Sequence, residues 1–239
     1  MKLIFLGTRA NTDGRTRRHR RHSALLVCFG QARVMIDCGA DWLGRIEQLA
    51  PDAIVVTHAH PDHAWGLRKG ALRPVFATTE TWRLLAGYPF ANRHVIAPRS
   101  PTNVAGIVFE AFTVDHSVRA PAVGYRVSAG GRALFYAPHV VAIPECGAAL
   151  AGIDLYVGDG STFMRPMVRR KGKVLFGHTT VRAQLGWCQK EGVPCTVFTH
   201  CGSEVLSDAL RLGREIEETA HLLGVKARFA YDGLEIAMS

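Results

Sequence analysis

The 239-residue chain carries 48% hydrophobic residues and a formal net charge of +9, with both charge signs well represented. That balance excludes wholesale disorder and allows one sizeable core, and the excess of cations points to an anionic partner without saying anything of the fold. Six cysteines with no Cys-x-x-Cys pair read as reduced thiols, not as a disulfide frame. The apolar start Met1–Gly7 is too short for a signal peptide, and no apolar stretch approaches the ~20 residues of a membrane span. The expectation is therefore a cytoplasmic protein with no membrane contact.

Leu3–Leu6 reads as a first strand, followed by a segment with five arginines (Arg15, Arg17, Arg18, Arg20 and Arg21) and almost nothing apolar. Ala24–Phe29 and Ala32–Asp37 predict a hairpin about Gly30-Gln31. Asp41 is expected to cap a short helix carrying Trp42, Ile46 and Leu49, stopped at Pro51. The apolar run Ala53–Val56 then predicts a buried strand, and it breaks into Thr57-His58-Ala59-His60-Pro61-Asp62-His63. Three imidazoles and a carboxylate within six residues are donors that zinc and related divalent metals prefer. The spacing suits no single helix face, whereas a bent loop can gather these groups and divide them between two neighbouring ions.

Val75–Ala77 predicts a strand, Thr79–Ala86 a helix, and Val104–Val114 a strand ending at Asp115-His116. Val123–Ser128 and Ala133–Tyr136 frame the Gly130-Gly131 turn and end at Pro138-His139. Leu155–Val157 leads into Gly158-Asp159-Gly160, and Arg165, Arg169, Arg170, Lys171 and Lys173 crowd what reads as a second basic loop. A helix capped by Thr179 or Thr180 runs through Lys190, a strand Val193–Thr199 ends at His200, and Ser203–Leu223 has helical spacing. Strands about Asp232-Gly233 close the chain. Imidazoles thus follow several strands, an arrangement that converges where strands end along one sheet edge.

The motif His58-x-His60-x-Asp62-His63-x-x-Gly66-Leu67 resembles the signature of the metallo-β-lactamase superfamily, in the extended form of its ribonuclease Z branch. Phe5-Leu6-Gly7-Thr8, Ile36-Asp37-Cys38-Gly39, Gly177-His178-Thr179-Thr180 and Val197-Phe198-Thr199-His200 are similar to further segments of that branch. Tyr231-Asp232-Gly233-Leu234-Glu235-Ile236 is similar to the related cyclic-phosphate phosphodiesterases. The resemblance implies an α/β fold, a four-layer αββα sandwich of two mixed sheets with helices on the outer faces, formed by residues 1–239 as a single domain. It implies one metal held by His58, His60 and His116, a second held by Asp62, His63 and His200, and Asp37 orienting a ligand from behind.

Two departures stand out. The family places a bridging aspartate where this chain has His139; a neutral imidazole normally gives one nitrogen to one metal. His139 is accordingly expected to serve one ion, with a hydroxide as the only bridge, or to favour a single metal. Asp159 and Gly160 stand where the branch has a His-Glu pair, leaving Asp159 as a ligand, a proton carrier or a turn cap. His178 matches a histidine that supports the scissile phosphate.

The resulting expectation is a metal-dependent hydrolase, using metal-held hydroxide on a phosphodiester (nucleic acid, small or cyclic), with Asp62, His178 and Asp159 as catalytic groups. One or two divalent ions are implied, zinc first, then manganese or iron. Arg17, Arg18, Arg20, Arg21, Arg169, Arg170 and Lys171 are the candidates for phosphate contact, with RNA or DNA as partner if both basic stretches border the cleft. Alternatives are a lactonase, thioesterase or β-lactam-type hydrolase on the same centre, and a catalytically silent metal-bearing nucleic-acid binder. The helix from Ser203 leaves a homodimer open.

Overall fold

The computed structural model describes residues 1–172 and 174–238. Six strands form most of a first sheet: β1 (Lys2–Gly7), β2 (Ala24–Phe29), β3 (Ala32–Ile36), β4 (Ala53–Val55), β5 (Val75–Ala77) and β6 (Arg93–Val95). Then come β7 (Thr102–Val104), β8 (Ile107–Val114), β9 (Ala122–Ala129), β10 (Arg132–Tyr136) and β11 (Leu155–Asp159). An exposed hairpin follows, β12 (Met167–Lys171) and β13 (Val174–His178), and the chain closes with β14 (Cys195–Thr199), β15 (Lys226–Phe229) and β16 (Glu235–Ala237). The first sheet has the order β16-β1-β2-β3-β4-β5-β6 and the second β15-β14-β11-β10-β9-β8-β7; both mix parallel and antiparallel pairs.

The layers follow from period-two alternation. Leu25 and Val27 of β2 face the second sheet, where they share a core with Tyr125, Val127, Leu134 and Tyr136. Ala24 and Leu26, one residue out of phase, meet Trp42, Ile46, Leu67 and Trp82 on the outer side. The second sheet buries Phe112, Phe135, Tyr156 and Phe198 under helices. In chain order these elements are α1 (Pro61–Ala64), α2 (Thr79–Leu84), α3 (Cys146–Leu150), α4 (Val181–Lys190), α5 (Ser203–Ser207) and α6 (Ala209–Leu222). On the second sheet, Leu185 of α4 and Leu212 and Ile216 of α6 close the outer core. This is the expected α/β sandwich of two mixed sheets between helical layers.

Several local expectations are corrected. Asp41 caps no helix: two separate 3-10 turns, Ala40–Trp42 and Ile46–Leu49, replace it, with left-handed Gly44 between them. Its carboxylate is taken instead by Arg9 Nη2 at 2.8 Å and the His22 amide at 2.9 Å. The second basic stretch is a hairpin, not a loop, so Arg169, Arg170 and Lys171 stand on exposed β12; Lys173 lies outside the described residues. The long C-terminal helix breaks at Asp208, whose side chain accepts from the Arg211 amide and starts α6 anew. No helix among the described residues is long and apolar enough to cross a membrane.

Candidate metal centre

β8, β10, β11 and β14 run the same way in the second sheet, so His116, His139, Asp159 and His200 emerge along one edge. β4 of the first sheet delivers the Thr57–His63 segment to the same place, and the buried Tyr125 hydroxyl of the second sheet donates to Val56 O at 3.0 Å just before the turn. Pro61 opens α1, where its fixed φ and missing N–H are tolerated, and the short helix turns Asp62 and His63 inward. Asp37 and His200 hold left-handed backbones, φ 62° and 54°. Such conformations persist only where surrounding contacts over-determine them.

Three groups of donors result: His58, His60, His116 and His139; Asp62, His63, His139 and His200; and Asp159, His178 and His200. Within the first, His58 Nε2 lies 3.0 Å and His116 Nε2 3.2 Å from His60 Nδ1. Within the second, Asp62 Oδ2 lies 2.9 Å from His200 Nε2 and 3.3 Å from His63 Nε2. Asp37, Asp62, His58, His63, His116, His139, Asp159 and His200 are buried, and His60 and His178 partly so.

The outer nitrogens fix the tautomers. His63 Nδ1 donates to Asp37 Oδ2 at 2.7 Å and His116 Nδ1 to Gly177 O at 3.0 Å. The Thr57 hydroxyl donates to Asp37, so its oxygen accepts from His58 Nδ1 at 2.9 Å. His200 Nδ1 stands 2.7 Å from Ser161 Oγ. With Nδ1 engaged on the outside, the inner Nε2 atoms of His58, His63, His116 and His200 face one another. His63 Nε2 is fully buried with no hydrogen-bond partner. Inward-facing imidazole nitrogens beside a carboxylate, each braced from behind, are a donor set suited to a divalent cation.

The charge states of His58, His60, His116 and His139 agree with such a set, whereas His63 must give up a proton to bind a cation. Burial, reinforced by neighbouring imidazoles, holds His58 and His139 well below the usual histidine range and His116 at about 3. His60, held at about 4 chiefly by burial, is also neutral. Burial opposes a charge on His63, but Asp37 and Asp62 overcome it and raise its pKa to about 10. Asp62 is held well below the carboxylate range because the surrounding imidazoles outweigh its burial. His178 is raised: burial works against its charge, and the Asp159 carboxylate, 2.7 Å from Nδ1, prevails.

The centre opens into a cleft of about 820 Å³ lined by His60, Asp62, His116, His139, His178 and His200, with Thr12, Arg165, Ser203 and Glu204 on its walls. None of Arg17, Arg18, Arg20, Arg21, Arg169, Arg170 and Lys171 lines it. Arg18 stacks over Tyr231 and Arg21 over Trp42, while Arg17, Arg20 and Arg21 border a separate hollow with Asp232. Among the described residues, Arg165 is the one arginine or lysine in the cleft wall. Thr57 and Ser161, which brace His58 and His200, were not expected from sequence; a hydroxyl directly beside a candidate ligand is the signal that could have found Thr57.

Two packed mixed sheets with a histidine-rich seam at their shared edge define a metallo-β-lactamase fold. The model of the family described as beta-lactamase superfamily domain matches residues 32–201, and the chain belongs to that family. Ribonuclease Z of Bradyrhizobium sp. (strain ORS 278) is 38% identical over 74 residues, 28% of this chain, and the match spans 23% of that relative's length. Among solved structures, Zn(2+)-bound PqqB from Methylobacterium extorquens superposes with a TM-score of 0.75 at 21% identity, covering 100% of both chains. A diphosphatase from the PhnP family gives 0.73 at 21% identity, covering 98% of this chain and 96% of that one. At that identity the likenesses show the fold.

Proposed function

We propose that this protein is a metal-dependent phosphodiesterase. The observation that carries the reading is the placement of His178, its Nδ1 2.7 Å from the Asp159 carboxylate, on the wall of the cleft into which the braced donor groups open. A divalent cation, zinc first on this imidazole-rich set, supplies Lewis acidity and lowers the pKa of bound water toward neutrality. His58, His60 and His116 would hold one ion and Asp62, His63 and His200 a second, with Asp37 and Thr57 fixing ring orientation from behind.

The remaining chemistry falls to the cleft wall. Asp159 keeps Nδ1 of His178 protonated, so its second N–H is the proton available to a leaving-group oxygen. Arg165 positions the phosphate, on a loop tied down by the Thr162 hydroxyl donating to Arg165 O at 2.6 Å and by Glu204 accepting from the Phe163 amide at 2.8 Å. One guanidinium at the cleft, with the other cations standing off it, supports a small or cyclic phosphodiester over a long polynucleotide. Similarity to a ribonuclease Z and to a diphosphatase supports a substrate cleaved at phosphorus.

Elemental analysis of freshly purified protein, with a screen of phosphodiester, lactone and thioester substrates, tests the reading. Expected are bound zinc, manganese or iron and turnover of a model phosphodiester, abolished by chelation and by His60→Ala or Asp62→Ala. Cyclic and dinucleotide substrates should outpace polyribonucleotide. Turnover of lactones or thioesters alone, nucleic-acid binding without turnover under all three metals, or metal content near zero would each overturn it.

A further inference from the structure

His139 differs from every other imidazole of the centre. His58, His63, His116 and His200 each spend one ring nitrogen on an oxygen behind them, and His60 Nε2 lies 3.4 Å from Ser117 Oγ. His139 has no such brace among the described residues. Its Nδ1 stands 2.6 Å from His116 Nε2, in the first donor group. Its Nε2 is in contact with His200 Nε2 and lies 3.4 Å from Asp62 Oδ2, in the second. It is the one residue shared by both groups, and it is buried.

A neutral imidazole carries one lone pair and one N–H. Whichever nitrogen holds the proton, it aims that proton into a group whose other members present lone pairs, which suits a hydrogen bond but blocks a metal bond. Deprotonated, the ring carries a lone pair at each end and a single negative charge, the same charge that a bridging carboxylate would place between two cations. The histidine then conserves the charge balance of the centre, which a neutral side chain at this position would not.

Resting on the metal-centre reading above, we propose that His139 bridges two cations as an imidazolate, giving Nδ1 to the ion held with His58, His60 and His116 and Nε2 to the ion held with Asp62, His63 and His200. Two metal–nitrogen bonds form, one N–H bond breaks, and its proton leaves to solvent, as protons do when metals displace them from their ligands. The span of the ring plus two bonds of about 2 Å sets the ions roughly 6 Å apart. Two-metal sites that share an oxygen bridge keep about 3.5–4 Å.

The test loads metal-free protein with copper(II) and reads stoichiometry by elemental analysis, spin coupling by electron paramagnetic resonance, and metal–metal separation by X-ray absorption. Expected are two copper equivalents, loss of most of the resonance intensity through coupling, and the long separation. His139→Ala leaves three donors to each ion and should recover the intensity of two uncoupled ions. His139→Asp, which keeps a bridging group should the alanine variant fold poorly, should retain two equivalents and contract the separation toward the shorter value. Two uncoupled ions in the native protein, a short separation there, or a single equivalent overturns the bridge while leaving a metal centre standing. No bound copper and no native metal overturns the centre itself.

Discussion

If His178 donates a proton to the departing oxygen, its replacement by glutamine must hurt in proportion to how badly that oxygen needs the proton. General acid catalysis contributes about 10²- to 10⁴-fold, which at 1.36 kcal/mol per decade is roughly 3–5 kcal/mol of transition-state stabilisation. A p-nitrophenolate leaves unaided, so His178→Gln should lower kcat less than about tenfold on such an ester and by the full factor on an alkyl or nucleoside ester. The pH profile gives a second reading. Asp159 raises the His178 pKa against the opposing effect of burial, so the active protonated form survives to higher pH than an ordinary histidine allows. In Asp159→Asn the carboxylate is gone, and the alkaline limb of kcat/KM should move to lower pH. Asp159 also accepts from the Val140 amide at 3.1 Å and the Ser161 amide at 2.9 Å, and an asparagine turns its NH2 toward one of them. A stability loss of about 1–3 kcal/mol is expected, followed by urea unfolding alongside the kinetics. Equal losses on good and poor leaving groups in His178→Gln, or an unmoved alkaline limb in Asp159→Asn, would refute the assignment.

Thr57→Val keeps the shape but removes the hydroxyl between Asp37 and His58, and should weaken metal affinity by about 10- to 100-fold in a chelator competition; unchanged affinity would deny the brace a role. Gly39→Ala would set a Cβ 2.2 Å from Asp62 O and 2.4 Å from His22 Cβ, so the backbone carrying Asp62 must shift. We expect about 1–3 kcal/mol of destabilisation with lower metal content, measured by unfolding and elemental analysis. Buried His19, whose Nδ1 lies 2.9 Å from Thr8 Oγ1, is held at about 4 by burial and then by Arg18, below the unfolded value of 6.5. The unfolded chain therefore binds this proton first: the contribution is present above pH 6.5 and is lost as pH falls toward 4, up to roughly 3 kcal/mol. His19→Asn should flatten the slope of stability against pH in that window by this amount, and parallel slopes would contradict it.

What the sequence made legible is what burial and spacing encode. Ala24–Phe29 and Ala53–Val56 alternate or saturate with apolar residues as strands in a sandwich must, and the crowding of His58, His60, Asp62 and His63 after a buried strand has few readings other than metal. His116, His139 and His200 were legible through position, since each follows a strand. β6 and β12 escaped because they are exposed along their whole length and carry no apolar rhythm. The siting of the arginines escaped for a related reason: Arg18 and Arg21 are placed by Tyr231 and Trp42, partners far away in the chain. That His139 turns both nitrogens inward is a matter of ring orientation between two sheets, which no spacing of residues records.

The donors also say why the centre and the fold cannot be separated. His58, His60, Asp62 and His63 belong to the first sheet's β4 turn, whereas His116, His139 and His200 belong to strand ends of the second. The two donor groups that share His139 therefore take members from both sheets, and any cation they hold ties one sheet to the other at the open edge of the seam. The interior of that seam is apolar, closed by Phe5, Tyr125 and Tyr136, but at the edge the sheets present imidazole nitrogens to one another, beside hydrogen bonds from the Tyr125 hydroxyl to Val56 O and from the Val123 amide to Thr57 O. Lone pairs 2.6–3.4 Å apart repel unless a proton or a cation lies between them. A cation at the edge of the sandwich would thus relieve that repulsion and join the sheets, and the left-handed backbones of Asp37 and His200 fall on either side of it.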